Sequence, residues 1–355
     1  MDTATAAAEV IRSFDRYAYR ARQYGLTMSL AIPGRLLNLL MSPQTRFDRD
    51  VVGVLQQRYE ALLERDLANV ERGDYPRDLL YQLPLLRYLR ALPTALTDLP
   101  RFLWRSTTER HDDLPADIDR ERYPRYYLRT FHWQTDGWLS DRSARLYDAS
   151  VEFLFAGTAD IMRRMAIPPL VAALRGVAHP RVLDVACGTG RFLLQLSRAL
   201  PRAKLYGLDL SPPYVGHASA LLAGRGVSLV NDNAETMPWA DASFDAVASV
   251  FLFHELPSDA RRRVAREMLR VLKPGGTVAV CDSAQLADSA ELEQVLRHFP
   301  AAYHEPYYKG YLRDDLAALL AEVGFAVESS EPHLVSKVVV ARRPSRGGRR
   351  RATRH

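Results

Sequence analysis

Residues 181 to 192, RVLDVACGTGRF, set a carboxylate, Asp184, at the end of an apolar run and a Gly-Thr-Gly turn, Gly188 to Gly190, just beyond it. Glycines let the main chain bend sharply and approach a ligand, and a helix opening there offers free N–H groups. A second acid, Asp209, closes the next apolar run, LYGLDLS, 21 residues after Gly188. A carboxylate at that place can accept both hydroxyls of a ribose, so the pair suits an adenosine-containing ligand. A dinucleotide fingerprint would need a third glycine where Leu193 stands, and a phosphate loop would need Gly-Lys-Ser/Thr, which the chain lacks. An acid so near the turn disfavours a pyrophosphate and favours an ammonium.

These residues need a scaffold that brings strand ends together. From Arg181 to about Pro344, short β-branched or Leu-rich runs (RVLDVA, KLYGLDL, VSLVN, FDAVASVFL, TVAVCDS, HLVSKVVVARR) alternate with helical segments such as RFLLQLSRALP, YVGHASALLAG, SDARRRVAREMLRVLKPGG and LRDDLAALLAEVGF. That alternation predicts an α/β fold with parallel strands and crossover helices on both faces, whose ligands sit beyond the carboxyl ends of the strands. Before it, AEVIRSFDRYAYRARQYG and RDVVGVLQQRYEALLERDLANVERGD have helical periodicity, with Gly25 and Gly73 as expected stops. Residues 75–105 are Leu-rich but carry Pro84, Pro93 and Pro100, which predicts short helices rather than one rod. Their Leu, Arg and Trp104 suit packing on the catalytic domain or on a partner chain, with peripheral membrane contact as the alternative. SARLYDASVEFLFAGTADIMRRMAIPPLVAAL reads as continuing helix, capped by Ser140 or Asp141. The expected organisation is a helical accessory region at 1–110, an aromatic-rich connector at 111–150, the catalytic domain at 151–341 and a disordered Arg-rich tail at 342–355.

VLDVACGTG with GLDLS resembles the first two signatures of class I S-adenosylmethionine-dependent methyltransferases. The likeness continues through NDNAETMPWADASFDAVASVFLFHEL and EMLRVLKPGG to LLAEVGF, in order, over roughly residues 140 to 341. It implies a Rossmann-like, doubly wound, mostly parallel seven-stranded sheet and S-adenosylmethionine as cofactor. By position, it implies that Ala186 and the Gly188–Gly190 turn line the methionine part and that Asp184 orients it. Asp209 would hold the ribose, with Leu210 on the adenine face. Asn233 (often Asp in the family) and Ala234 would meet the adenine edge, and Phe251 would sit near the sulfonium. The second half looks most like the quinone-methylating, small-molecule branch, which implies a lipophilic or aromatic acceptor.

Methyl transfer from a sulfonium is an in-line displacement that mainly needs orientation, and a base only when the acceptor holds its proton. His254, next to Glu255 after the fourth strand, is one candidate base, and His304 is a second. The insertion HFPAAYHEPYYKGYL, with Tyr303, Glu305, Tyr307 and Tyr308, is a natural lid or substrate wall. His132, Trp138 and Tyr147 precede the domain, and Trp138 and Tyr147 could cover the sulfonium.

Composition sets the outer limits. The chain has 355 residues, 47% hydrophobic and 25% charged, an ordinary soluble profile. Cys187 and Cys281 suggest neither a disulfide framework nor a zinc cluster, and the reading predicts no metal and a cytoplasmic protein. No signal or membrane anchor is expected. The net charge of +6 lies in seven arginines from Arg342 to Arg354, and the remainder carries −1. A nucleic-acid active site is therefore disfavoured, although an RNA- or protein-directed enzyme, or an RNA-associated factor using that tail, is the alternative. The base-methylating Asn/Asp-Pro-Pro-Tyr/Phe motif is missing after the fourth strand, and SPPY at Ser211–Tyr214 reads as a turn that opens a helix. The oligomeric state is not encoded in any of these features.

Overall fold

The computed structural model describes residues 13, 15–30, 47–82 and 85–345. Seven strands form one sheet: β1 (Arg181–Val185), β2 (Lys204–Asp209), β3 (Ser228–Asn231), β4 (Phe244–Val250), β5 (Leu272–Ser283), β6 (Ala326–His333) and β7 (Ser336–Arg342). Their order is β3-β2-β1-β4-β5-β7-β6, parallel except that β7 runs antiparallel between β5 and β6. Strand order reverses between β1 and β4, so the carboxyl ends of β1, β2 and β4 open onto one crevice.

Alternation along the strands feeds two cores, as a sheet covered on both faces requires. Val182 and Ala246 face one layer, with Phe192 and Leu196 of α7 (Arg191–Ala199) and Leu170 of α6 (Ile167–Ala173). Leu183 and Val247 face the other, with Val264 of α9 (Ser258–Val271) and Leu319 of α12 (Leu316–Val323). The N-terminal helices α1 (15–30) and α2 (Arg49–Glu71) join the first layer directly through Tyr19, Leu62 and Leu63. A buried ion pair reinforces that joint. Asp66 of α2 accepts two bonds from Arg164 of α5 (Ala159–Arg164), at 2.9 and 2.5 Å, and one each from the Tyr19 and Tyr75 hydroxyls.

Several local expectations are corrected. α1 runs through Gly25, around which nothing crowds, while Gly73 does follow the end of α2 in the left-handed region. Leu85–Thr108 is one helix, α3, with Pro93 and Pro100 inside it. Both prolines are exposed, so water can take the carbonyls they leave unpaired. Pro84 lies outside the described residues. The segment after Ser140, whose hydroxyl caps Ser143 N–H, is α4 (Asp141–Leu154), then α5 and α6, not one helix. It breaks at Ala156 and Gly157 (φ 48° and 81°), where α1 intrudes: Gln23 and Thr27 donate to those two carbonyls, and a Cβ on Gly157 would lie 2.7 Å from Leu26. Lys273-Pro-Gly-Gly belongs to β5 rather than to a helix end. Arg342 lies in β7, and Arg343 donates to the carbonyls of Leu269, Arg270 and Leu272, so neither belongs to a free tail. Residues 346–355 lie outside the described residues. Ser211 caps α8 (Pro212–Leu221), and SPPY opens that helix as expected. Among the described residues no helix is long and apolar enough to cross a membrane.

Candidate functional site

β1 ends in a turn that only unusual backbone can make. Ala186, Gly188 and Gly190 all have positive φ (59°, 54° and 80°), and Gly190 is the left-handed N-cap of α7. β2 must come close alongside, and it does so at Gly207, opposite Asp184, where a Cβ would lie 2.7–2.8 Å from Leu193, Leu229 and Cys187. Asp209, at the end of β2, accepts the Gly188 N–H at 2.8 Å and the Ser211 N–H at 2.9 Å. Burial pushes its carboxyl up to about 6 despite those two donors. Asp184 lies beneath the turn with both oxygens buried and unpartnered. Burial, and then the charge of Asp209, drive its pKa well above the usual carboxylate range. A carboxylate so placed calls for a cation or a set of donors.

Above these acids is a narrow cleft of about 110 Å³. Ala186, Gly188, Asp209, Leu210, Asn233, Ala234 and Phe251 line it, together with Trp138 and Tyr147. Asp184 and Gly190 support it from behind rather than line it. Sequence reasoning missed Tyr127, Asp232 and Tyr214, which also face the cleft. Trp138 is held by stacking on Phe131 (4.2 Å between centroids), and its carbonyl accepts the Ser211 hydroxyl at 2.5 Å. Phe251 has φ 58° and donates its N–H to Cys281 O.

A larger cavity of about 510 Å³ adjoins the cleft. Tyr147, Phe251 and Glu255 line both spaces. Its walls are mostly apolar: Val151, Leu154 and Phe155 on or beside α4, Leu296 and Phe299 of α10 (Glu293–Ala302), and Tyr303 and Tyr308 of the insertion. Leu55 of α2 and Phe47 close the far side. The polar groups gather at the seam. His254 Nδ1 lies 2.7 Å from Asp282 Oδ1, while Asp282 Oδ2 accepts the Leu252 and Phe253 N–H groups. Because a carboxylate can only accept, Nδ1 carries the hydrogen and Nε2 faces Glu255 and the cavity. Burial would lower the His254 pKa, but Asp282 and Glu255 outweigh it and hold it well above the usual value.

His132 Nε2 and Nδ1 lie 2.9 Å from Glu255 and 2.8 Å from Glu305. The three residues bring donor atoms within 4.8 Å of one another. His132 thus bridges two carboxylates that come from the turn after β4 and from the insertion. Burial opposes the charge on His132, yet Glu305 and Glu255 raise its pKa to about 10. Burial and then Glu255 push Glu305 up to about 7.

His304 and Tyr307 are not brought to either space. His304 stacks between His111 (5.0 Å) and Trp133 (4.7 Å), where burial and then His111 lower its pKa to about 4. Tyr307 packs edge-on against Tyr126. Two imidazoles from outside the β4 turn, His132 of the connector and His298 of α10, reach the cavity wall, and Asp282 is a functional candidate that strand-end position alone would not single out.

The family described as "Methyltransferase domain" matches residues 182–276, the stretch that builds the cleft floor. The demethylmenaquinone methyltransferase of Geobacillus kaustophilus is 31% identical over 206 residues, covering 49% of this chain and 79% of that protein. The O-methyltransferase resE of Aspergillus sclerotiorum is 34% identical over 162 residues, 44% of this chain and 58% of its own. The ubiquinone/menaquinone biosynthesis C-methyltransferase UbiE of Desulfotalea psychrophila is 32% identical over 143 residues, 40% and 56%. The chain thus spans less than two thirds of the latter two proteins. The matched segment carries the strand-end acids and the glycine turn, and the sheet has the topology those motifs require. The chain is a class I S-adenosylmethionine-dependent methyltransferase.

Proposed function

We propose that the chain methylates a lipophilic or aromatic small molecule bound in the large cavity, with S-adenosylmethionine in the strand-end cleft. The observation that carries this reading is the shared wall: the cleft opens onto a mostly apolar cavity across Tyr147, Phe251 and Glu255. The cleft fits the cofactor on its own chemistry. Asp184, buried with two unpartnered oxygens, would take the ammonium end, helped by Ala186 and the Gly188–Gly190 turn. Asp209 would hold the ribose, with its remaining lone pairs. Leu210, Asn233 and Ala234 would meet the adenine, and Phe251 with Trp138 and Tyr147 the sulfonium region. Bound S-adenosylmethionine supplies an activated methyl group.

The chain's own part is orientation and proton handling. Tyr303, Tyr308, Phe299 and Phe155 hold an apolar acceptor and exclude water. His254, fixed by Asp282, offers Nε2 to an acceptor hydroxyl or acidic carbon, a contribution of about 10²–10⁴ in rate. The relatives' names, a quinone C-methyltransferase and an O-methyltransferase, support a phenolic or hydroquinone acceptor. α3 exposes Leu92, Leu96, Leu99 and Trp104, which supports contact with a lipid surface from which such an acceptor would arrive.

The test is S-adenosylhomocysteine calorimetry followed by transfer of labelled methyl to a panel of lipophilic phenols and hydroquinones. Asp209→Ala removes two charge-assisted bonds of about 1.5 kcal/mol or more each, so affinity should fall on the order of 100-fold. Unchanged affinity, or label recovered only in polymer, overturns the proposal.

A further inference from the structure

Five titratable side chains, four buried and His132 half-buried, follow one another at the seam: Asp282, His254, Glu255, His132 and Glu305. Their successive separations are 2.7, 3.5, 2.9 and 2.8 Å. They come from β5, the turn after β4, the connector and the insertion, so no single local motif produces them. Glu255 is the middle link and the only one of the five that lines both spaces. Its Oε1 serves His132 and lies near His254, while its buried Oε2 has no partner.

Among the described residues, His298, Tyr303 and Tyr308 share the large cavity with Glu255, and Tyr126, Tyr127, Tyr214, Asp209 and Asp232 share the cleft with it. Tyr147 contributes a hydroxyl from α4, and the Arg163 guanidinium of α5 lies over the Phe251 ring at 5.8 Å. His304 stands near His132, Asp209 lines the cleft, and Asp184 is buried beneath its turn. Within the chain, three carboxyls face two imidazoles, so with both rings protonated one carboxylate charge is unbalanced unless Glu305 is also protonated. An added positive charge in the cleft would meet the open side of Glu255 and repel the protons shared along the chain, at short range and out of water.

We propose that Glu255 couples the charge in the cofactor cleft to the protonation of this chain, so that binding a sulfonium expels a proton that binding the matching thioether leaves in place. The inference rests on the cleft being the cofactor site. It reconciles two observations. Between two carboxylates His254 holds its proton, yet a base must be free of it; an incoming charge lowers proton affinity along the whole chain, so that one proton leaves at the Glu305 end and the His254 proton can move toward it. As the acceptor–methyl bond forms and the sulfur–methyl bond breaks with its pair on sulfur, the cleft's positive charge disappears. Proton affinity along the chain then returns as the acceptor's proton passes to His254 Nε2. The groups nearest neutrality, Glu305 at about 7 and His132 at about 10, put the exchange in the range pH 6 to 10.

The experiment is titration calorimetry of the full chain at pH 7.5 with S-adenosylmethionine and, separately, S-adenosylhomocysteine, in phosphate and in Tris. The dependence of heat on buffer ionisation counts protons. S-adenosylmethionine should release on the order of half a proton or more beyond S-adenosylhomocysteine, and the ratio of their affinities should rise with pH by up to about tenfold per unit per whole proton. Glu255→Gln should bind both and remove the difference. If that variant does not fold, His132→Gln should reduce the difference by about half. Equal proton counts in the native chain, or a full difference in Glu255→Gln, overturns the coupling. Failure of both ligands to saturate overturns the cleft assignment, and the coupling with it.

Discussion

Replacing Asp66 by alanine tests what joins the N-terminal helices to the sheet. The side chain is fully buried and faces Arg164, itself 3% exposed, through two bonds. Removing one partner of such a pair strands the other charge, at a cost of about 3–5 kcal/mol. Tyr75 keeps Asn69 as a partner, but Tyr19 loses its acceptor, which adds about 1 kcal/mol. For 355 residues the unfolding entropy is about 0.7 kcal/mol per kelvin, so a loss of 4–6 kcal/mol lowers Tm by about 6–8 °C. Scanning calorimetry reads this directly. Asp66→Leu combined with Arg164→Met should recover most of the loss, because an apolar pair needs no compensation. Because α2 supplies Leu55 to the cavity, acceptor KM should rise in Asp66→Ala while S-adenosylhomocysteine affinity holds. A Tm within 1 °C of the native chain would refute the view that this ion pair is what fastens the helices.

Gly207→Ala forces a methyl into space already taken by Leu193, Leu229 and Cys187, and should cost about 1–3 kcal/mol in urea titrations. His254→Ala should lower kcat for a phenolic acceptor by about 10²–10⁴ with little change in S-adenosylhomocysteine affinity, and Asp282→Asn should fall between it and the native enzyme; an unaltered kcat would remove His254 as base. His132, raised to about 10 from an ordinary 6.5, stabilises the fold fully below pH 6.5, and that share is lost as pH climbs through 10. Urea midpoints at pH 6.5, 8.5 and 10 should therefore decline less in His132→Gln than in the native chain, and parallel declines would contradict the ion-pair assignment.

The cleft floor was readable because its signals are local: a glycine-rich turn after one strand and an acid at the end of each of two strands. β6 escaped notice because its sequence, AVESSEPH, is polar and largely exposed, as an edge strand can be, and shows no apolar alternation. The prolines of α3 misled because their cost depends on whether the freed carbonyls reach water, which the sequence does not record. The seam was half legible. His254, His132 and Glu305 each stand out among aromatics, but His132 and Glu255 are 123 residues apart, and only the folded chain pairs them. His304 looked equivalent to His132 until packing turned it toward His111 and Trp133.

Most of the large cavity's wall lies outside residues 182–276: Leu55, Tyr147, Val151, Leu296 and Tyr303 come before or after that stretch. The cleft floor and most of the large cavity's wall are thus written in separate parts of the gene, and Tyr147, Phe251 and Glu255 join them. On the proposed assignment, drift at Leu55, Val151, Leu296 or Tyr303 can retune what is methylated while the strand-end acids and the glycine turn stay unchanged.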